Sequence, residues 1–258
     1  MCPPELRDVL PEQTSRAWPK VVAALPVGAY LAGGTAVALH LGHRVSHELG
    51  IFVPSVFNSN QVRRTLAELG DLTVTNHTAD TLSGVIDGAR VQFLEAAHHR
   101  QLDRPSPVES MPVAGLRDLM ADKLKVIGDR GELRDYFDLM MIEARSPHRC
   151  EHGLRYYRQR YGIGAEHVSL THITRSLSHF GDVADDPGLP MPRGRIEAYW
   201  RSRQPELLSH LRSQTWTHGQ HNGSTQSDRQ PDQAGRCGAP TTRGGTCMNP
   251  SGSCPHHG

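Results

Sequence analysis

Apolar and polar positions along this chain change period several times, and each change predicts an element. The run PVGAYLAGGTAVALHLGHR reads as a strand from about Gly28 to Ala32, a tight turn at Gly33-Gly34, and a helix capped by Thr35 that ends near Leu41. HELGIFVP alternates as a second strand closed by Pro54. NSNQVRRTLAELG carries an Asn cap, apolar Val62, Leu66 and Leu69 at helical spacing, and a terminal Gly70. The alternating stretch from Leu72 to Ala97 breaks at Asp87-Gly88, a strong hairpin signal, so the sheet is mixed rather than purely parallel.

From Gly115 the period becomes helical. Leu116, Leu119, Met120, Leu124 and Ile127 line one helix, and Leu133, Tyr136, Phe137, Met140 and Met141 line the next. Helical patterns continue through CEHGLRYYRQRYG, SLTHITRSLSHFG and RGRIEAYWRSRQPELLSHLRS. The expected fold class is α/β (α+β): a mixed sheet with helices at 1–112, a helical domain at 113–215, a flexible linker at 216–235 and a small tail at 236–258. The linker is expected because THGQHNGSTQSDRQPDQAGR has one apolar residue, Ala234, and so buries too little surface to offset its chain entropy.

Charge and cysteine usage narrow the picture. Of 258 residues, 28 are Lys or Arg and 27 are Asp or Glu, so the global balance demands neither a nucleic acid nor an anionic membrane. Val21 to Gly42 lacks Asp, Glu, Lys and Arg and approaches the roughly 20 residues of a membrane span. Pro26, Gly28, Gly33, Gly34 and His40 interrupt it, and a strand covered on both faces reads the same way. No membrane is expected, and MCPPELRDVLPEQ lacks the basic start and apolar run of a secretion signal, which points to the cytoplasm.

Five cysteines, three of them in the last 22 residues, make a poor disulfide framework. Cys237, Cys247, Cys254 and His257 offer three thiolates and an imidazole, enough to close a structural Zn²⁺ site, with His256 as a competing ligand. The tail resembles short zinc-binding tails appended to assorted bacterial proteins.

The candidate chemistry lies at the glycine turn and the strand after it. A strand, Gly-Gly-Thr and a helix present unpaired N–H groups and a positive helix end, which suits a polyphosphate. In the next strand Ser46, Glu48 and Gly50 share a face, because residues two apart point the same way. Two carboxylates at the last two positions would hold two Mg²⁺ ions against a nucleoside triphosphate. Here one is an acid and the other a hydrogen.

Gly33-Gly34, followed after 13 residues by Glu48-Leu49-Gly50-Ile51-Phe52, resembles the nucleotidyltransferase signature of two glycines followed by Asp-x-Asp. AGGTAVALHLGHRVSHELGIF is similar to the AbiEii/MenT toxin family, as are DLMADKLKVIGDRGELRDYFDL and HFGDVADDPGLPMPRG. The resemblance covers roughly Leu25 to Leu211. It implies a nucleotidyltransferase fold, Mg²⁺-dependent transfer of NMP from an NTP to an RNA, tRNA in studied cases, and a cognate antitoxin.

Carried over by position, Gly33, Gly34 and Thr35 cradle phosphate, and Arg44 and Asp135 join them as nucleotide-binding candidates. Ser46 and Glu48 stand at the metal, Lys123 meets the triphosphate, and Asp138 completes the acidic cluster. Each has a plainer rival: Lys123 as the polar edge of a helix, Asp138 as a solvated ion pair with Arg134 four residues earlier.

The departures weigh as much as the matches. Glu48 is one methylene longer than Asp, Gly50 has no carboxylate, and the position of a third acid is Gln92, with Glu95 on the opposite face. These departures predict impaired transfer. The alternative is a non-catalytic module that binds a nucleotide, RNA or protein. LRYYRQRYG, with tyrosines interleaved among arginines, suits either an RNA-binding surface or an amphipathic helix with an exposed basic side.

Overall fold

The computed structural model describes residues 6–221, with side chains through residue 213. The chain divides into two compact units, 1–217 and 218–258. In chain order the first unit starts with α1 (Leu6–Val9), α2 (Glu12–Ala23), β1 (Tyr30–Ala32), α3 (Gly33–Leu41), β2 (Glu48–Val53), α4 (Ser59–Leu69), β3 (Leu72–His77), β4 (Thr81–Ile86), β5 (Ala89–Glu95), β6 (Ser106–Val108) and β7 (Met111–Val113). The helices α5 (Leu116–Arg130), α6 (Leu133–Arg145), α7 (Cys150–Tyr161), α8 (Val168–Ser176) and α9 (Arg193–His221) come after the sheet.

The strands form one mixed sheet in the order β3-β4-β5-β2-β1-β7-β6. β2 runs parallel to β5 and antiparallel to β1, so the two central strands that carry the glycine turn and the Glu48 motif are neighbours. Burial in β2 alternates strictly: Leu49, Ile51 and Val53 are sealed in the core, whereas Glu48, Gly50 and Phe52 face the other side. Leu31, Leu49, Ile51 and Phe93 are fully buried at the centre of the sheet.

Local chemistry sets several boundaries. At the β4–β5 hairpin Asp87 and Gly88 both take positive φ, 48° and 82°, the backbone of a tight two-residue turn. The Asn58 side chain accepts from the Gln61 amide and caps α4, although Leu69, expected on its apolar face, is 38% exposed. α3 begins at Gly33, two residues before the expected Thr35 cap, because the Thr35 hydroxyl is drawn away to the start of β2. The apolar pattern does not announce α2. Pro19 lies inside it, yet Ala17, Trp18 and Val21 bury its inner face, and tertiary packing outweighs the proline. α9 runs to His221, into the segment read as the start of a linker; the rest of that segment and the tail lie outside the described residues.

The helical layer is stitched by buried charge. Arg160 of α7, fully buried, binds Asp122 and Asp118 of α5, the Tyr30 hydroxyl of β1 and the Arg100 carbonyl. Tyr161 donates to Asp122 at 2.7 Å, and Tyr156 and Tyr157 are buried as well. The LRYYRQRYG segment buries Tyr156, Tyr157 and Arg160 in the core and leaves Arg155 exposed, the pattern of an amphipathic helix with an exposed basic side. A second cluster joins α6, α7 and α9: Glu143 accepts from Tyr199 at 2.6 Å and from Arg203, which also holds Glu151.

Removing Arg160 leaves Asp118 and Asp122 buried without their cation. Arg160→Ala should lose about 3–5 kcal/mol in chemical unfolding, whereas exposed Arg155→Ala should change stability by no more than about 0.5 kcal/mol.

Candidate functional site

One cleft of about 340 Å³ collects most of the sequence-predicted residues. Its floor is the open face of β2 and β5, one wall is the glycine turn with the loop 42–47, and the other is the cleft side of α5, the start of α6 and the loop between α8 and α9.

The two glycines serve different ends. Gly33 has φ +68° and open space where a side chain would stand, so the backbone conformation is what requires glycine there. At Gly34 a Cβ would lie 2.2 Å from Arg44 Nη2, so the guanidinium packs directly on the turn. The first amides of α3 open beside it, at the positive end of the helix dipole.

Thr35 is buried, and its hydroxyl lies 2.5 Å from the Glu48 carbonyl oxygen and 2.8 Å from Ser46 Oγ. With one proton, it donates to the carbonyl and accepts from Ser46. Its role in this structure is to fasten α3 to the start of β2.

Beneath the turn sits Asp138, fully buried. Its Oδ1 accepts from His43 Nε2 at 2.7 Å and Arg44 Nε at 2.6 Å, and its Oδ2 from Arg44 Nη2 at 2.8 Å and Lys123 Nζ at 2.6 Å. Burial would raise its pKa, but Lys123, Arg44 and His43 outweigh that and hold it far below the usual carboxylate range. Burial keeps His43 lowered and therefore neutral at pH 7, donating from Nε2.

Lys123 also reaches Asp135 Oδ1 at 2.7 Å, while Asp135 Oδ2 accepts the Glu132 amide. Burial acts to lower Lys123, and Asp135 and Asp138 reverse that, so it stays charged. The rival arrangement, an Arg134–Asp138 surface pair, does not form. Asp138 points inward and Arg134 pairs with Glu132 instead.

Lys123, Asp135, Arg44, Ser46, Glu48, Gly33 and Gly34 line the cleft; Thr35 and Asp138 lie beneath its lining. Three contributors escape the sequence reading. Arg90 stands two residues before Gln92 and on the same face, a parity readable in GARVQF. Asp186 and Leu189 reach the cleft from the loop between α8 and α9. Arg193 holds that loop by donating to the Val183 and Phe180 carbonyls, a tertiary arrangement without a local sequence signal.

The Mg²⁺ pair that the glycine turn and strand suggest needs carboxylates converging on the floor. Glu48 is the one carboxylate on the open face of β2, and Gly50 beside it has none. Gln92 stands in register with Gly50, its amide nitrogen 3.2 Å from Ser83 Oγ. All four acceptor directions of Asp138 are taken by nitrogen donors. Among the described residues no three His, Cys, Asp or Glu side chains converge as metal ligands. These residues do not fit a two-metal cradle.

A mixed sheet with a glycine turn leading into a helix, and a cleft above the following strand, define a protein of the nucleotidyltransferase fold. Residues 21–219 match the family described as nucleotidyl transferase AbiEii toxin, type IV TA system, and the chain belongs to that family. It is 26% identical over 175 residues to the uncharacterized protein aq_aa25 of Aquifex aeolicus, covering 66% of this chain and 80% of that protein. Its fold is similar to the crystal structure of JHP933 from Helicobacter pylori, with a TM-score of 0.51 at 18% identity, covering 83% of this chain and 99% of the other. A putative nucleotidyltransferase from H. pylori gives a TM-score of 0.51 at 17% identity, covering 79% and 98%.

Asp138→Asn strips the partner from two buried cations and should destabilise the protein by about 3–5 kcal/mol at pH 7. Because the folded pKa of Asp138 is depressed, its stabilisation is present above the unfolded value near 4 and is lost as pH falls below it. The gap between wild type and Asp138→Asn, measured by urea unfolding, should therefore be constant from pH 7 to 5 and narrow in more acidic buffer.

Proposed function

We propose that the cleft binds a nucleoside triphosphate and that the protein is a toxin-like nucleotidyltransferase whose transfer of NMP to RNA, tRNA by family resemblance, is impaired. The observation that carries this reading is the combination of an intact glycine turn and cleft with a single carboxylate, Glu48, on the face of β2. Each 1.36 kcal/mol of lost transition-state stabilisation is about tenfold in rate, and a missing metal ligand removes several such steps. A cognate antitoxin is the partner that family membership suggests. No helix among the described residues is long and apolar enough to cross a membrane.

This chain's residues have distinct tasks in that reading. The α3 amides and Arg44 receive phosphate oxygens, Lys123 fixes the wall opposite, and Ser46 offers a hydroxyl beside Glu48. Phe52 and Leu94 give the far end of the β2–β5 floor an apolar surface against which a nucleobase can pack.

Gly50 is the position at which to test it, because an added Cβ would stand 3.7 Å from the Ala32 carbonyl oxygen, an ordinary contact. Wild type, Gly50→Asp, and Glu48→Asp with Gly50→Asp should be compared for incorporation of each labelled NTP into total tRNA with Mg²⁺ or Mn²⁺. The double variant should label tRNA at least about a hundredfold faster than wild type. Comparable labelling by wild type would sink the impaired-transfer reading.

The proposed Zn²⁺ ligands Cys237, Cys247, Cys254 and His257 lie outside the described residues. Elemental analysis of purified protein should find about one zinc per chain, lost in Cys237→Ser with Cys254→Ser.

A further inference from the structure

The β2–β5 register places an unexpected cation on the strand face that carries Glu48. On the cleft face Glu48 stands beside Arg90, Gly50 beside Gln92, and Phe52 beside Leu94. Adjacent strands lie about 4.8 Å apart, so the Arg90 stem rises next to Glu48 on the same side of the sheet. Arg90 is exposed, and neither it nor Glu48 is held in an ion pair among the described residues.

The other cations lining the cleft are differently placed: Arg134 pairs with Glu132, and exposed Arg130 stands at the end of α5, on the wall across from the β2–β5 floor. Arg44 and Lys123 share Asp138 and Asp135, so this group of four is close to neutral in sum. Arg44 spends Nε, one Nη2 hydrogen and one Nη1 hydrogen on Asp138 and Val45, which leaves N–H donors at the glycine turn but little uncompensated charge. A polyphosphate entering here still needs its charge balanced. Arg90 is long, always charged, and offers the forked donors that match phosphate oxygens. Its charge, on the same strand face as Glu48, disfavours a divalent ion at the one carboxylate that remains.

We propose that this cleft recognises the polyphosphate of a nucleoside triphosphate without a divalent metal, with Arg90 supplying the charge that a metal held by a second carboxylate would otherwise supply. This rests on the nucleotide-binding reading above and adds the means of recognition. A guanidinium neutralises phosphate but does not activate an attacking hydroxyl, so the site becomes a holder of nucleotide rather than a transferring one.

Calorimetric titration of the full chain with ATP and with inorganic tripolyphosphate, each in Mg²⁺ and in excess EDTA, tests it. Wild type should bind both ligands with affinities that differ by less than about threefold between the two buffers. Arg90→Ala should weaken binding by about tenfold to a hundredfold, the loss of a charge-assisted contact, whereas Arg64→Ala on α4 should leave it unchanged. Gly50→Asp combined with Arg90→Ala should bind ATP only in Mg²⁺.

Wild-type binding that requires Mg²⁺, or that survives Arg90→Ala undiminished, would overturn the role of Arg90 and leave nucleotide binding standing. ATP binding without tripolyphosphate binding would also overturn it, since recognition would then lie in the nucleoside. No binding of ATP by any variant in either buffer would overturn the nucleotide reading itself, and this proposal with it.

Discussion

The buried carboxylate of Asp138 is the point from which the site is organised. It belongs to α6, yet its four contacts are to His43 and Arg44 of the loop before β2 and to Lys123 of α5. Such a group is costly to bury, and what makes it tolerable is that every acceptor direction is filled by a donor, with two full cations among its partners. The loop before β2 is thereby held at one spacing from the consecutive helices α5 and α6. Arg44 is pinned against Gly34, and the width of the cleft between the glycine turn and α5 is set by the reach of that side chain and of Lys123.

This arrangement separates the shape of the site from its charge. The glycine turn, the helix end behind it and the open β2–β5 face make a cleft suited to a polyphosphate. Charge is set one layer higher, by residues that meet side by side through strand register: Glu48 with Arg90, Gly50 with Gln92. Glycine at position 50 thus leaves the fold untouched while changing what the floor attracts. The loop held by Arg193 closes the same cleft from the helical side, adding Asp186 and Leu189.

Where interactions are local, the residues announce them. Asp87-Gly88 forces a hairpin because positive φ is needed at both positions, Asn58 caps α4 through an amide three residues on, and strict alternation puts Glu48, Gly50 and Phe52 on one face of β2. Where they are not, a reading of spacing strays. Asp138 suits a helical pair with Arg134 as well as an acidic cluster, because both are legitimate on an isolated helix; burial decides against the pair. Arg160 reads as surface charge in a basic helix and is instead a core cross-link to α5 and β1. α2 hides behind Pro19, a breaker in isolation that packing overrides.

The class of fold, the glycine turn, the face shared by Ser46, Glu48 and Gly50, and the family resemblance are all legible in the order of residues, because each rests on backbone conformation or spacing within a short segment. The parallel pairing of β2 with β5, which sets Arg90 beside Glu48, is legible only in three dimensions. So is the place of Asp138 beneath the cleft, where it serves two cations and a neutral imidazole. These are contacts between different elements, from 15 to 95 residues apart. Their energies depend on burial and on which partner arrives, and no local pattern along the chain carries that information.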